Sequence, residues 1–259
     1  MRKEVKGMVF LTGDVHGNYD WDKIYNEMEV GRLQNLTKED YLIILGDFGF
    51  IWKNKPDEFE NEWLEKIENL PFTVLFIDGN HENHGRLDAM PVEEWNGGKV
   101  HRIRPHILHL MRGQVFTICE KIFFTFGGAS SHDIRDGVLE PNDPRIREWS
   151  RDPFKLFRVR GVSWWERELP SPAEFKEGWK NLAAHNNKVD YVLTHCGSNK
   201  EIATIFHGKF QDGDVLTCYL DLILGEIEYK RHFFGHYHID HANAYLKADI
   251  LYYDVVRVA

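Results

Sequence analysis

The chain has 259 residues, of which 42% are hydrophobic and 14% aromatic, enough to bury a sizeable core and to exclude an intrinsically disordered protein. Its 32 Lys and Arg stand against 41 Asp and Glu, and the net charge of -9 argues against a track for long nucleic acids. The 3 cysteines lie far apart and show no CxxC spacing, which excludes a disulfide framework and a thiolate zinc cluster.

Met1-Arg2-Lys3 offers positive charge, but the apolar run Met8-Val9-Phe10-Leu11 is too short for the core of a signal peptide. No apolar stretch approaches the roughly 20 residues of a membrane helix, so the chain is expected to be cytoplasmic and free of membrane. Residues Met8 to Thr12 read as a buried strand broken by Gly13. The same unit recurs where Tyr41 to Leu45 ends at Gly46-Asp47 and where Phe72 to Ile77 ends at Asp78-Gly79-Asn80-His81. Between these strands, Asp22 to Glu29 and Pro56 to Leu70 read as helices, the second with Phe59, Trp63, Leu64, Ile67 and Leu70 on one face.

Further on, Gln114 to Cys119 and Lys121 to Phe126, separated by Glu120, predict an antiparallel hairpin. The stretch at about 129–172 lacks periodicity and contains Pro141, Pro144, Pro153 and Pro170, which marks an excursion from the core. Its aromatics, Trp149, Phe154, Phe157, Trp164 and Trp165, predict that it packs onto the rest of the protein. Val189 to Thr194 ends at His195, and Arg231 to Phe234 ends at Gly235-His236, while Ala242 to Leu246 and Ile250 to Val258 read as closing strands. The chain is thus expected to be α/β, a single domain over 1–259 with a cap-like insertion at about 129–172.

Parallel strands present their carboxyl ends along one edge of a sheet, so residues at those ends converge even when far apart in sequence. The strand-tip words bring together Asp14, His16, Asp47, Asn80, His195, His236 and His238, an oxygen and imidazole set suited to Mn, Fe, Zn, Ni or Co. These donors are too many for one ion, and two sites sharing Asp47 would use them all. The chemistry that such a pair serves is attack of a metal-bridging hydroxide on phosphorus.

In order and spacing, Gly13-Asp14-Val15-His16-Gly17, Gly46-Asp47, Gly79-Asn80-His81-Glu82, Thr194-His195 and Gly235-His236-Tyr237-His238 resemble the motifs of the calcineurin-like metallophosphoesterases. The resemblance spans residues 8 to 238. It implies a four-layer αββα sandwich, two mixed β-sheets flanked by helices, with two divalent transition-metal ions at one sheet edge. It implies that Asp14, His16 and His238 hold one ion, that Asn80, His195 and His236 hold the other, and that Asp47 bridges them. By the same resemblance His81 is the catalytic general acid rather than a ligand.

The serine/threonine phosphatase branch continues its second motif with an Asp and an Arg where this chain has Phe50 and Ile51, and has an Arg where this chain has Asp78. The departure turns the expectation toward a phosphodiester or small nucleotide, with a phosphomonoesterase as the alternative. Asp133 and Arg135, after the Gly127-Gly128 strand, are candidate substrate contacts because an Arg fork matches phosphate. A non-catalytic metal-binding scaffold should have lost ligands, yet every ligand position carries a competent side chain. The remaining histidines read as surface or hydrogen-bonded groups, with His84 and His132 the two nearest to a functional role.

Overall fold

The computed structural model describes residues 7–209 and 213–259; the Met1-Arg2-Lys3 start lies outside them. In chain order the elements begin β1 (Val9–Thr12), α1 (Asp22–Val30), β2 (Tyr41–Leu45), α2 (Glu58–Glu68), β3 (Thr73–Ile77) and α3 (His84–Asp88). A run of strands follows: β4 (Val92–Trp95), β5 (Gly98–Arg104), β6 (Ile107–Leu110), β7 (Gln114–Ile118) and β8 (Lys121–Phe126). The excursion holds β9 (Gly137–Leu139), α4 (Ile146–Trp149) and β10 (Phe157–Val159). The chain closes with α5 (Pro172–Ala184), β11 (Tyr191–Thr194), α6 (Asn199–Ile205), α7 (Val215–Glu226), β12 (Arg231–Phe234), β13 (His241–Asn243), β14 (Ala248–Ile250) and β15 (Val255–Arg257).

Two large mixed sheets result, of 7 strands in the order β15-β1-β2-β3-β6-β5-β4 and of 6 strands in the order β13-β14-β12-β11-β8-β7. Each has a parallel centre and antiparallel edges. Alternation along each strand sorts the apolar side chains into separate cores. Phe10, Leu42, Ile44, Val74 and Phe76 face Ile24 of α1 and Leu64 and Ile67 of α2. The alternate residues Val9, Leu11, Ile43, Leu45 and Leu75 meet Phe116, Phe123 and Leu193 of the other sheet. The far face of that second sheet, with Phe124, Phe126 and Val192, packs on Leu182 of α5 and Leu216, Leu220 and Ile223 of α7. Helix, sheet, sheet, helix is the expected four-layer sandwich.

The local differences from expectation have physical causes. The β7–β8 hairpin turns through two residues, Cys119 and Glu120, both at positive φ, so Cys119 belongs to the turn and not the strand. The closing segments split because β14 lies in one sheet and β15 in the other. The crossing between them is tied by the Asp240 carboxylate, which accepts the backbone N–H groups of Tyr252, Tyr253 and Asp254 at 2.7, 3.1 and 3.1 Å. Strands β4 to β6 and helices α5 and α7 escape the sequence reading. In the excursion, β9 and β10 form a parallel pair, and Trp165 meets Trp52 edge to face at 5.1 Å. Phe154 does not pack as expected and is 81% exposed. Among the described residues no helix is long and apolar enough to cross a membrane.

Candidate metal centre

Every strand-tip word lies at the carboxyl end of a parallel strand, and the two sheets bring these ends face to face. The approach is tight enough to dictate glycine. Gly46 sits at φ +92, and a Cβ there would overlap the His195 imidazole, while a Cβ on Gly79 would overlap the Asp47 carboxylate. His16, Asp47, His236 and His238 themselves adopt positive φ, a conformation that costs energy in residues with a Cβ and gathers at functional sites.

Donor atoms of Asp14, His16 and His238 lie within 4.8 Å of one another, and so do those of Asp47, His195 and His236. Asp14 Oδ2 is 3.2 Å from His238 Nε2 and 4.0 Å from His16 Nε2. Asp47 reaches both groups, with Oδ2 3.3 Å from His16 Nε2 and Oδ1 3.4 Å from His195 Nε2. Asn80 joins the second group through Oδ1, 3.3 Å from His195 Nε2.

The hydrogen bonds around the rings fix which nitrogen is available. His195 Nδ1 lies 2.7 Å from the Leu45 carbonyl, which can only accept, so Nδ1 carries a proton and Nε2 is the nitrogen that faces Asp47 and Asn80. His16 is held the same way by Asp20 Oδ2 at 2.7 Å from its Nδ1. Asp20 in turn accepts from the Tyr252 hydroxyl at 2.9 Å, and the Tyr252 ring stacks on His238 at 4.7 Å.

Electrostatically the site has acidic charge to spare. Burial works against the charged form of His16, yet Asp47, Asp14 and Asp20 push its pKa up to about 9. His195 is likewise disfavoured by burial but pushed up to about 10 by Asp47 and Asp14. Asp47 is held well below the usual carboxylate range because His195 and His16 outweigh its burial. Asp14 Oδ2 is buried with no hydrogen-bond partner in the structure. A buried carboxylate oxygen without a hydrogen bond, among imidazoles whose extra protons a divalent cation would displace, is the environment that such an ion completes, and the donor set fits.

His81 lies above this cluster. Its backbone N–H donates to Asp47 Oδ1 at 2.7 Å, and its ring meets His16 edge to face at 5.3 Å and stacks on Trp52 at 5.4 Å. Its donor atom also comes within 4.8 Å of those of His16 and Asp47, so the geometry alone leaves a ligand role open to it. Burial lowers its pKa, with Arg158 and His16 adding to the effect against Asp47 and Asp133. Once protonated it is therefore a stronger acid than a free imidazolium. Glu82 accepts from Gly49 N at 3.0 Å and Gly79 N at 2.5 Å, tying the loops after β2 and β3 together.

A cavity of about 850 Å³ opens beside the cluster and is lined by His16, His81, His238, Trp52, Asp133 and Arg158, among others. Phe50 and Ile51 are core residues. Of the two predicted substrate contacts only Asp133 reaches the cavity. Arg135 is 70% exposed, 3.8 Å from Asp136, and donates to the Phe154 carbonyl at 3.1 Å. Arg158 stands there instead, and no sequence signal singles it out because its tie to Asp133 spans 25 residues. Trp52 and Tyr252 were also missed; Asp20, four residues after His16, could have been found as a carboxylate within reach of a candidate ligand histidine. Of the two histidines set apart in the sequence, His132 lies 4.4 Å from the His236 ring, and His84 is buried 3.8 Å from Asp78.

A model of the calcineurin-like phosphoesterases matches residues 8–240, and the chain belongs to that family, hydrolases acting on phosphoric ester bonds. The lariat debranching enzymes of Mus musculus and Homo sapiens are each 23% identical to it over 214 residues, covering 75% of this chain and 36% of theirs. The match thus covers little more than a third of the length of these curated relatives.

Proposed function

We propose that this protein hydrolyses a phosphodiester or a small nucleotide with the help of two divalent transition-metal ions, Mn foremost. Asp14, His16 and His238 would hold one ion, Asn80, His195 and His236 the other, and Asp47 would be shared. Bound there, such a pair lowers the pKa of water and offsets charge on the phosphoryl oxygens. The observation that carries the reading is the partnerless, buried Asp14 Oδ2 set among imidazoles whose free nitrogens turn inward. The tie from Nδ1 of His195 to Leu45, and that from Nδ1 of His16 to Asp20, keep those nitrogens oriented.

His81 gives its proton to the departing alkoxide, and Trp52 holds the ring in place by stacking. The segment at about 129–172 caps the cavity and supplies part of its wall. The diester preference is supported by the scarcity of cations in the cavity: Arg158 and Lys53 are the two Lys or Arg side chains that line it among the described residues.

The test is hydrolysis of bis- and mono-p-nitrophenyl phosphate by protein loaded with Mn. Metal-dependent turnover that is faster on the diester is expected. Faster monoester turnover would make the enzyme a phosphomonoesterase, and bound metal without turnover of either ester would make it a scaffold.

A further inference from the structure

Resting on the phosphoesterase reading, the geometry points to the Arg158–Asp133 pair as the specificity element of the site, one that grips the monoanionic phosphate of a diester and turns away dianionic monoesters. Arg158 comes from β10 in the excursion and Asp133 from the loop after β8. Arg158 Nε donates to Asp133 Oδ1 at 2.9 Å, and Nη2 donates to Asp133 Oδ2. This bidentate hold uses one edge of the guanidinium and leaves Nη1 without a protein acceptor among the described residues. Both side chains line the cavity that also exposes His16, His81 and His238. A phosphate seated against the candidate metal centre therefore lies within the same enclosure as that open N–H edge.

The pair as a whole is neutral, and this decides what it accepts. A diester phosphate carries one negative charge, whereas a monoester with a second pKa near 6 carries nearly two at neutral pH. The guanidinium can offer a charge-assisted hydrogen bond to a non-bridging oxygen of either ester. The Asp133 carboxylate, 43% exposed and part of the cavity lining, repels the extra charge of the monoester and has less effect on the diester. Pinning by Asp133 also pre-orients the long Arg side chain, which cuts the entropy lost when substrate binds. The discrimination thus comes from the excursion and is independent of the strand-tip residues.

Three variants test this, with metal content and circular dichroism as controls of folding: Arg158→Ala, Arg158→Lys and Asp133→Asn. Removing Arg158 should raise KM for bis-p-nitrophenyl phosphate by about 10-fold or more, with a smaller change in kcat, and Arg158→Lys should restore part of it. Asp133→Asn should shift the ratio of kcat/KM for the monoester over the diester upward by about 10-fold. Calorimetric binding of inorganic phosphate to the Mn-loaded proteins reads the same element without turnover: tighter for Asp133→Asn than for wild type, weaker for Arg158→Ala. An unmoved ester ratio in Asp133→Asn while wild type turns over esters would overturn the inference alone. Loss of wild-type turnover on both esters would count against the phosphoesterase reading, and the phosphate affinities would then decide the pair, equal values in all proteins rejecting it.

Discussion

The protein buries two clusters of carboxylate and imidazole, and they differ in what neutralises the acid. Around Asp78, Oδ1 lies 3.1 Å from His109 Nε2, while Oδ2 accepts from Arg112 Nε at 2.8 Å and Nη2 at 2.5 Å. His101 completes the chain, its Nδ1 3.1 Å from that of His109. Arg112 and His109 overcome the cost of burial and hold the Asp78 carboxyl well below its usual range. At the strand tips, by contrast, Asp14 and Asp47 form ion pairs with histidines and with no Arg or Lys among the described residues, and one oxygen of Asp14 has no hydrogen-bond partner. In the first cluster both carboxylate oxygens are satisfied by protein and the buried atoms left over, Arg112 Nη1 and His84 Nε2, are nitrogens, whereas in the second the atom left over is a carboxylate oxygen, which a divalent cation would complete. What saturates the carboxylate, more than residue type, separates structure from site here.

The largest expected effect falls on the strand-tip cluster. Asp47→Ala should lose both ions and all measurable turnover, as read by elemental analysis and ester hydrolysis, because its carboxylate faces both histidine groups. Retention of two ions would show that Asp47 is not shared. At the other cluster, Arg112→Ala should leave a buried charge unpaired and cost about 3–5 kcal/mol in chemical denaturation while metal binding persists. The sharpest contrast is between two carboxylates in metal-free protein: Asp78→Asn should destabilise more than Asp14→Asn, because Asp78 gives up charged hydrogen bonds from an arginine whereas Asp14 Oδ2 accepts none.

Smaller effects refine the division of labour. His81→Ala should lower turnover by roughly 100-fold with both ions retained. Loss of the ions in that variant would make His81 a ligand. Asp20→Asn should weaken metal affinity by about 10-fold, measured by competition with a chelator, since it relaxes the ring that Asp20 orients. Least of all is a pH effect at the Asp78 cluster. Burial lowers the pKa of His84 to about 3 and of His101 to about 4, so both stay neutral when folded. The unfolded chain protonates them near pH 6.5, hence stability is lost as pH falls from about 6.5 toward 4. A His101→Gln variant should flatten that slope.

How far the sequence could be read depended on the range of the interactions. Strand ends followed by Gly-Asp or Gly-Asn words, such as Leu45-Gly46-Asp47, are local signals, and all the predicted ligand positions converge in space. The β4–β5 hairpin had a local signal that was passed over, Asn96-Gly97, both at positive φ. Helix α5 likewise opens on a capping box between Ser171 and Glu174. Other features had no local trace. The role of Trp52 against His81 requires the fold to bring two loops together, and Arg158 rather than Arg135 faces the cavity because β10 pairs with β9 to set its direction. Asp78, read as a departure from a family pattern, found its reason in Arg112, 34 residues away.

The most direct test of the account is the metal content of the purified chain after Mn supplementation and gel filtration, measured by elemental analysis. Two ions per chain in wild type, falling below one in Asp47→Ala, is the predicted result. A single ion, or two that survive the loss of Asp47, would contradict a dinuclear centre built on a shared carboxylate.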